Sequence, residues 1–95
     1  MNVLSVGMVL KDNIANYNKA LYNKEENKAN KIHQLIMNKL LGFEKEGLHW
    51  NIKYSFFNEI EEVSLSGKDF SIKASKNFNS WDDKVQKYNL EVKEL

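Results

Sequence analysis

An α+β fold is predicted by two hydrophobic rhythms and by the place where one gives way to the other. Apolar residues recur every three to four positions through the first half of the 95-residue chain and every two positions after Gly47. The change falls in the Gly42 to Gly47 segment. Beyond it Leu48, Trp50, Ile52, Tyr54 and Phe56 alternate with His49, Asn51, Lys53 and Ser55, the pattern of a strand buried on one face. The predicted element order is α-α-β-β-β-α, a two-layer sandwich in which a three-stranded antiparallel meander packs under helices. At this length one α+β domain over residues 1–95 is expected.

In the first helix Leu10, Ile14, Tyr17 and Leu21 step by four, three and four, and Val3 and Val6 extend the stripe toward the N-terminus. Gly7 weakens that extension, so residues 3–10 read either as helix or as a short strand. The stripe almost vanishes from Lys24 to Lys31, and Asn23 followed three residues later by Glu26 is a capping pattern, which predicts a helix restart there. Ile32, Leu35, Ile36 and Leu40 share one face of the second helix, with Gly42 as its stop. A second reading keeps residues 3–41 as one helix, because neither Pro nor Gly interrupts residues 22–30. Such a helix would be about 58 Å long and would need a partner to cover it.

The first strand is predicted from Leu48 to Phe57, with a turn near Asn58 and Glu59. The second runs from Ile60 to Ser66, with Val63 and Leu65 on the buried face, and Ser66-Gly67-Lys68 forms a tight turn. Phe70, Ile72 and Ala74 alternate with Ser71, Lys73 and Ser75 in the third. For the last element, Trp81, Val85, Tyr88, Val92 and Leu95 keep helical spacing, and Ser80 with Asp83 forms a capping box at a terminus where Asp82 and Asp83 favour the helix dipole. A helix over 81–94 is therefore predicted, in competition with a strand over 88–93 supported by the alternation of Tyr88, Leu90 and Val92.

Composition narrows function mainly by exclusion. The net charge of +1 supplies no overall grip on nucleic acid or on an acidic partner. There is no cysteine, hence no disulfide framework and no thiolate metal site, which fits a cytoplasmic protein. Lys11 and Asp12 cut short the apolar run from Val3 to Leu10 and no basic residue precedes it, so no signal peptide is expected. No segment approaches the roughly 20 apolar residues that span a bilayer. All 14 basic residues are lysine, so bidentate guanidinium recognition is absent; with 13 Asn and no Pro or Thr, the composition suits an AT-rich genome such as that of a low-GC bacterium or its phage.

No arrangement of side chains points to catalysis, and the chain does not read as an enzyme. His33 and His49 lack the spacing of paired metal ligands, so neither metal nor cofactor is expected. Gly7, Gly42, Gly47 and Gly67 are isolated, which excludes a glycine-rich phosphate loop. Ser55, Ser64, Ser66, Ser71 and Ser75 fall on the polar face of the strands rather than on a nucleophile turn. Glu44, Glu46, Glu59, Glu61 and Glu62 make one stretch acidic, at positions expected to be solvated.

The aromatics carry the functional expectation. Phe43, Trp50, Tyr54, Phe56, Phe70, Trp81 and Tyr88 are assigned to the core, whereas Tyr17, Tyr22, Phe57 and Phe78 are the candidates for a partner-binding surface, Phe78 belonging to either group. The chain is expected to be a small protein-interaction module, binding a larger protein as regulator, inhibitor or adaptor, or binding itself as a homodimer. The alternative is a weak nucleic-acid binder using a helical lysine stripe, Lys24, Lys28 and Lys31 with Lys39. From residue 24 onward the order α-β-β-β-α is similar to that of the double-stranded-RNA-binding domain, which reads A-form shape. Here the last helix would open Ser80-Trp81-Asp82-Asp83, placing two carboxylates where phosphate would have to approach.

Overall fold

A computed structural model describes residues 2–77 and 87–95. Helices α1 (Val3–Tyr22) and α2 (Glu26–Lys45) are followed by strands β1 (His49–Tyr54), β2 (Ile60–Ser66), β3 (Phe70–Lys76) and β4 (Tyr88–Glu94). The strands form an antiparallel meander in the order β1-β2-β3-β4, packed against α1.

Residues 3–10 are helix. Asn2 caps α1, its side-chain oxygen accepting from the Ser5 N–H at 3.1 Å. The long-helix reading fails at Lys24, whose φ of 60° is left-handed; Lys24 N–H donates to Leu21 C=O and Glu25 N–H to Ala20 C=O, which closes α1 and turns the chain back. Asn23 thus caps the C-terminus of α1 instead of starting α2, whose N-cap is Glu25 without a side-chain bond. Gly42 does not stop α2. The helix runs on to Lys45 and ends where Gly47 adopts φ +88°, with Gly47 N–H donating to Glu44 C=O and Leu48 N–H to Phe43 C=O.

The predicted C-terminal helix is overturned for the residues described. Residues 88–94 pair with β3, setting Tyr88 opposite Lys76, Leu90 opposite Ala74 and Val92 opposite Ile72. Here the two-residue rhythm prevails because it turns Tyr88, Leu90 and Val92 to the helix side together and gives β3 a ladder along its second edge. The Ser80–Asp83 capping box and Trp81 lie outside the described residues. With a strand at its end, the chain loses the element order of the double-stranded-RNA-binding domain.

Two cross-strand rows build the inner face of the sheet: Trp50–Leu65–Ile72–Val92 and Ile52–Val63–Ala74–Leu90. Leu10, Ile14 and Ala20 of α1 and Ala29, Ile36 and Leu40 of α2 complete the buried cluster. Gly7 sets how closely α1 approaches: a Cβ there would lie 3.0 Å from Leu90 Cδ1 and 3.3 Å from Ile72 Cγ2. Glycine inside a helix costs about 1 kcal/mol relative to alanine, and at this position it lets α1 descend onto β3 and β4.

The outer face is hydrophilic throughout. Its rows are His49–Ser66–Ser71–Lys93, Asn51–Ser64–Lys73–Glu91 and Lys53–Glu62–Ser75–Asn89. Glu62 joins two of them, one oxygen 3.5 Å from Lys53 Nζ and the other 3.3 Å from Lys73 Nζ. These are solvent-screened pairs of small net worth.

Candidate partner-binding site

One end of the sandwich concentrates polar bonds that reach across the fold. Asn18, fully buried on α1, donates from Nδ2 to Ile60 C=O at 2.9 Å and to the Tyr88 hydroxyl at 2.9 Å, while its Oδ1 accepts from Ile60 N–H at 2.8 Å. The amide thereby matches both backbone groups of Ile60 as a neighbouring strand would, at the point where β2 begins. One residue earlier, the Tyr17 hydroxyl donates to Asn58 C=O at 3.0 Å. Through Asn18 and Tyr17, α1 is thus tied to the first residue of β2 and to the β1–β2 connection.

That connection is a closed turn. Ser55 N–H donates to Glu59 C=O at 2.8 Å and Asn58 N–H to Ser55 C=O at 3.1 Å, and the Ser55 hydroxyl accepts from the N–H groups of Phe57 and Glu59. Asn58 takes the left-handed conformation, φ 66°, that asparagine tolerates better than most residues. Glu59 is held in turn by Lys76 Nζ at 2.6 Å, a pair in which both side chains are largely shielded from water. Raised on this base, Phe56 and Phe57 are 93% and 78% exposed, their rings packed edge to face at 5.5 Å between centroids.

Beside the turn, His33 of α2 stands between the rings of Tyr17 and Tyr54, and its Nε2 shares a 2.6 Å hydrogen bond with the Tyr54 hydroxyl. Burial raises the phenol pKa of Tyr54, and that of Tyr17, to which the nearby Tyr54 adds. For Tyr88, burial again raises the pKa; the bond from Asn18 pulls it down and Glu59 pushes it up. At neutral pH all three phenols therefore keep their protons, and the Tyr17 hydroxyl remains the donor that Asn58 requires.

The sequence-predicted residues divide. Phe57 is exposed at the turn, and Tyr22 is exposed in the last turn of α1. Tyr17 is 6% exposed, so it is a core residue and not a surface one. Its place in the Leu10–Ile14–Tyr17–Leu21 stripe accounts for this. Phe78 lies outside the described residues. Phe56, assigned to the core, is the most exposed large apolar residue of this end: β1 stops at Tyr54 rather than Phe57, and the Ser55 turn takes Phe56 out of the alternation. Tyr54 is likewise half exposed. The signal that was there to find it is the pair of turn formers, Ser55 and Asn58, bracketing the two phenylalanines.

The lysine stripe is only partly assembled. Lys28, Lys31 and Lys39 are exposed on α2, whereas Lys24 sits in the left-handed turn off the helix, and Lys28 Nζ lies 3.7 Å from Glu25. Among the described residues, no group of three or more His, Cys, Asp or Glu side chains could hold a metal ion, and no helix is long and apolar enough to cross a membrane. Comparison with protein-family models, curated proteins and solved structures finds no match.

Proposed function

We propose that this chain is a non-enzymatic protein-interaction module of the cytosol, a regulator, inhibitor or adaptor that engages a larger protein through the Phe56–Phe57 turn. The reading rests on one observation: two adjacent phenylalanines stand in water on a turn whose C-terminal end, Asn58 and Glu59, is bonded to α1 and β3. Burying a phenylalanine side chain is worth roughly 1.5–3 kcal/mol, a gain that Phe56 and Phe57 leave for a partner. A pre-ordered turn delivers more of that gain as affinity, because little backbone entropy is left to lose on docking. The partner surface that fits is an apolar pocket sized for two aromatic rings.

The test is affinity capture from the source cell with the wild-type chain and with the Phe56→Ser/Phe57→Ser variant, quantified by mass spectrometry. A specific protein retained by the wild type and lost by the variant is expected, with the unfolding midpoint of the variant unchanged, since surface substitutions cost within about 0.5 kcal/mol. Equal retention by both chains, or by neither, would refute the reading. A shift of duplex RNA or DNA that weakens steeply with salt would instead favour the lysines of α2.

A further inference from the structure

The edges of the sheet are unequal. The β1–β2 register slips between Lys53 and Tyr54, a device that discourages a further strand beside β1. Among the described residues β4 carries no such slip: it pairs with β3 over seven consecutive residues without a bulge. The bonds at the two ends of this ladder, Asn77 N–H to Lys87 C=O and Leu95 N–H to Asp69 C=O, show that odd-numbered residues of β4 direct their backbone groups to β3. Leu90, Val92 and Glu94 therefore direct theirs to the open edge.

We propose that β4 is a homodimerisation edge, pairing antiparallel with β4 of a second copy about a two-fold axis at Val92 to make one continuous sheet. Charge selects this register. With the axis at Val92, Glu91 of each copy faces Lys93 of the other on the polar side of the sheet, in the close, non-hydrogen-bonded positions where opposite charges attract. Val92 meets Val92 on the apolar side. An axis one residue earlier would set Glu91 against Glu91.

The helix above agrees with this choice. α1 runs over β4 with Asn18 at Tyr88 and Gly7 at Leu90, so its first turn extends toward Val92. Leu4 and Met8, 56% and 47% exposed, fall by helical spacing opposite Val6, which lines the groove between α1 and α2, and so on the flank of α1 turned away from α2. Because α1 sits over β3 and β4, its symmetry mate would lie about two strand spacings away, roughly 10 Å, the distance at which helices pack. Leu4 and Met8 would fill the space between them.

Sedimentation equilibrium of the purified chain tests the proposal. The wild type is expected at twice the 11.1 kDa of one chain. Glu91→Lys and Lys93→Glu should each weaken the dimer at least tenfold, and the Glu91→Lys/Lys93→Glu double variant should restore it, because the exchanged charges again face each other. A monomeric wild type, or a dimer indifferent to all three variants, would overturn it. Should a charge variant unfold by circular dichroism, disulfide trapping gives the register independently. Val92→Cys should cross-link to its own mate on oxidation and Asn89→Cys, about 20 Å from its mate, should not; cross-linking of both or of neither would overturn the assignment.

Discussion

Replacing Asn18 by alanine is expected to lower stability by about 3 kcal/mol, because each buried polar group left unpaired costs roughly 1–3 kcal/mol. The substitution strands both backbone groups of Ile60 in an interior that water does not reach, and takes a bond from the Tyr88 hydroxyl. Asn18→Leu should be no better, since an apolar side chain fills the space and leaves Ile60 unpaired. In a chain of this size the loss corresponds to a fall of roughly 15 °C in Tm. Urea denaturation should show the midpoint falling at constant slope. A loss below about 1 kcal/mol would mean that Ile60 finds other partners.

Ile72→Ala is expected to cost about 3–4 kcal/mol, within the range for deleting a buried aliphatic side chain. Ile72 is 1% exposed, stands in the inner row between Leu65 and Val92, and meets α1 at Gly7. Neighbours on three sides belong to regular elements, so the cavity has little means of collapsing. Its immediate neighbour Ser71 points to the polar face, and Ser71→Ala should change stability by no more than about 0.5 kcal/mol. Similar losses for the two variants, read from the same urea titrations, would mean that the faces of β3 are reversed.

How much of this was legible depends on whether one residue could discriminate between two rhythms. β2 is legible from Ile60 to Ser66 because Val63 and Leu65 alternate and Gly67 closes the turn. At the C-terminus, Tyr88 and Val92 are four apart, which puts them on one face of a helix and also on one face of a strand. Only Leu90 separates the readings: inward in a strand, it would be on the far side of a helix. The helical expectation rests instead on Trp81 and a capping pattern upstream. The helix ends were obscured for a different reason, since a lysine took the left-handed turn at position 24 and Gly47, not Gly42, ended α2.

The exposure of Phe57 follows from its place next to turn formers, and that of Phe56 is hidden when β1 is extended to Phe57, three residues past its end at Tyr54. The burial of Tyr17 was implicit in the α1 stripe to which it belongs. Asn18 carried no sequence signal: a polar residue in a helix, its partners lie 42 and 70 residues away, and only tertiary packing brings them together.

The most direct measurement is backbone ¹⁵N relaxation across residues 55–59 of the free protein. If Phe56 and Phe57 are displayed by a pre-ordered turn, their amides should show order parameters of about 0.85, equal to those of the flanking strands. Values below about 0.6 at these two amides, with β1 and β2 still rigid, would show a floppy loop and remove the basis for reading the pair as a docking element.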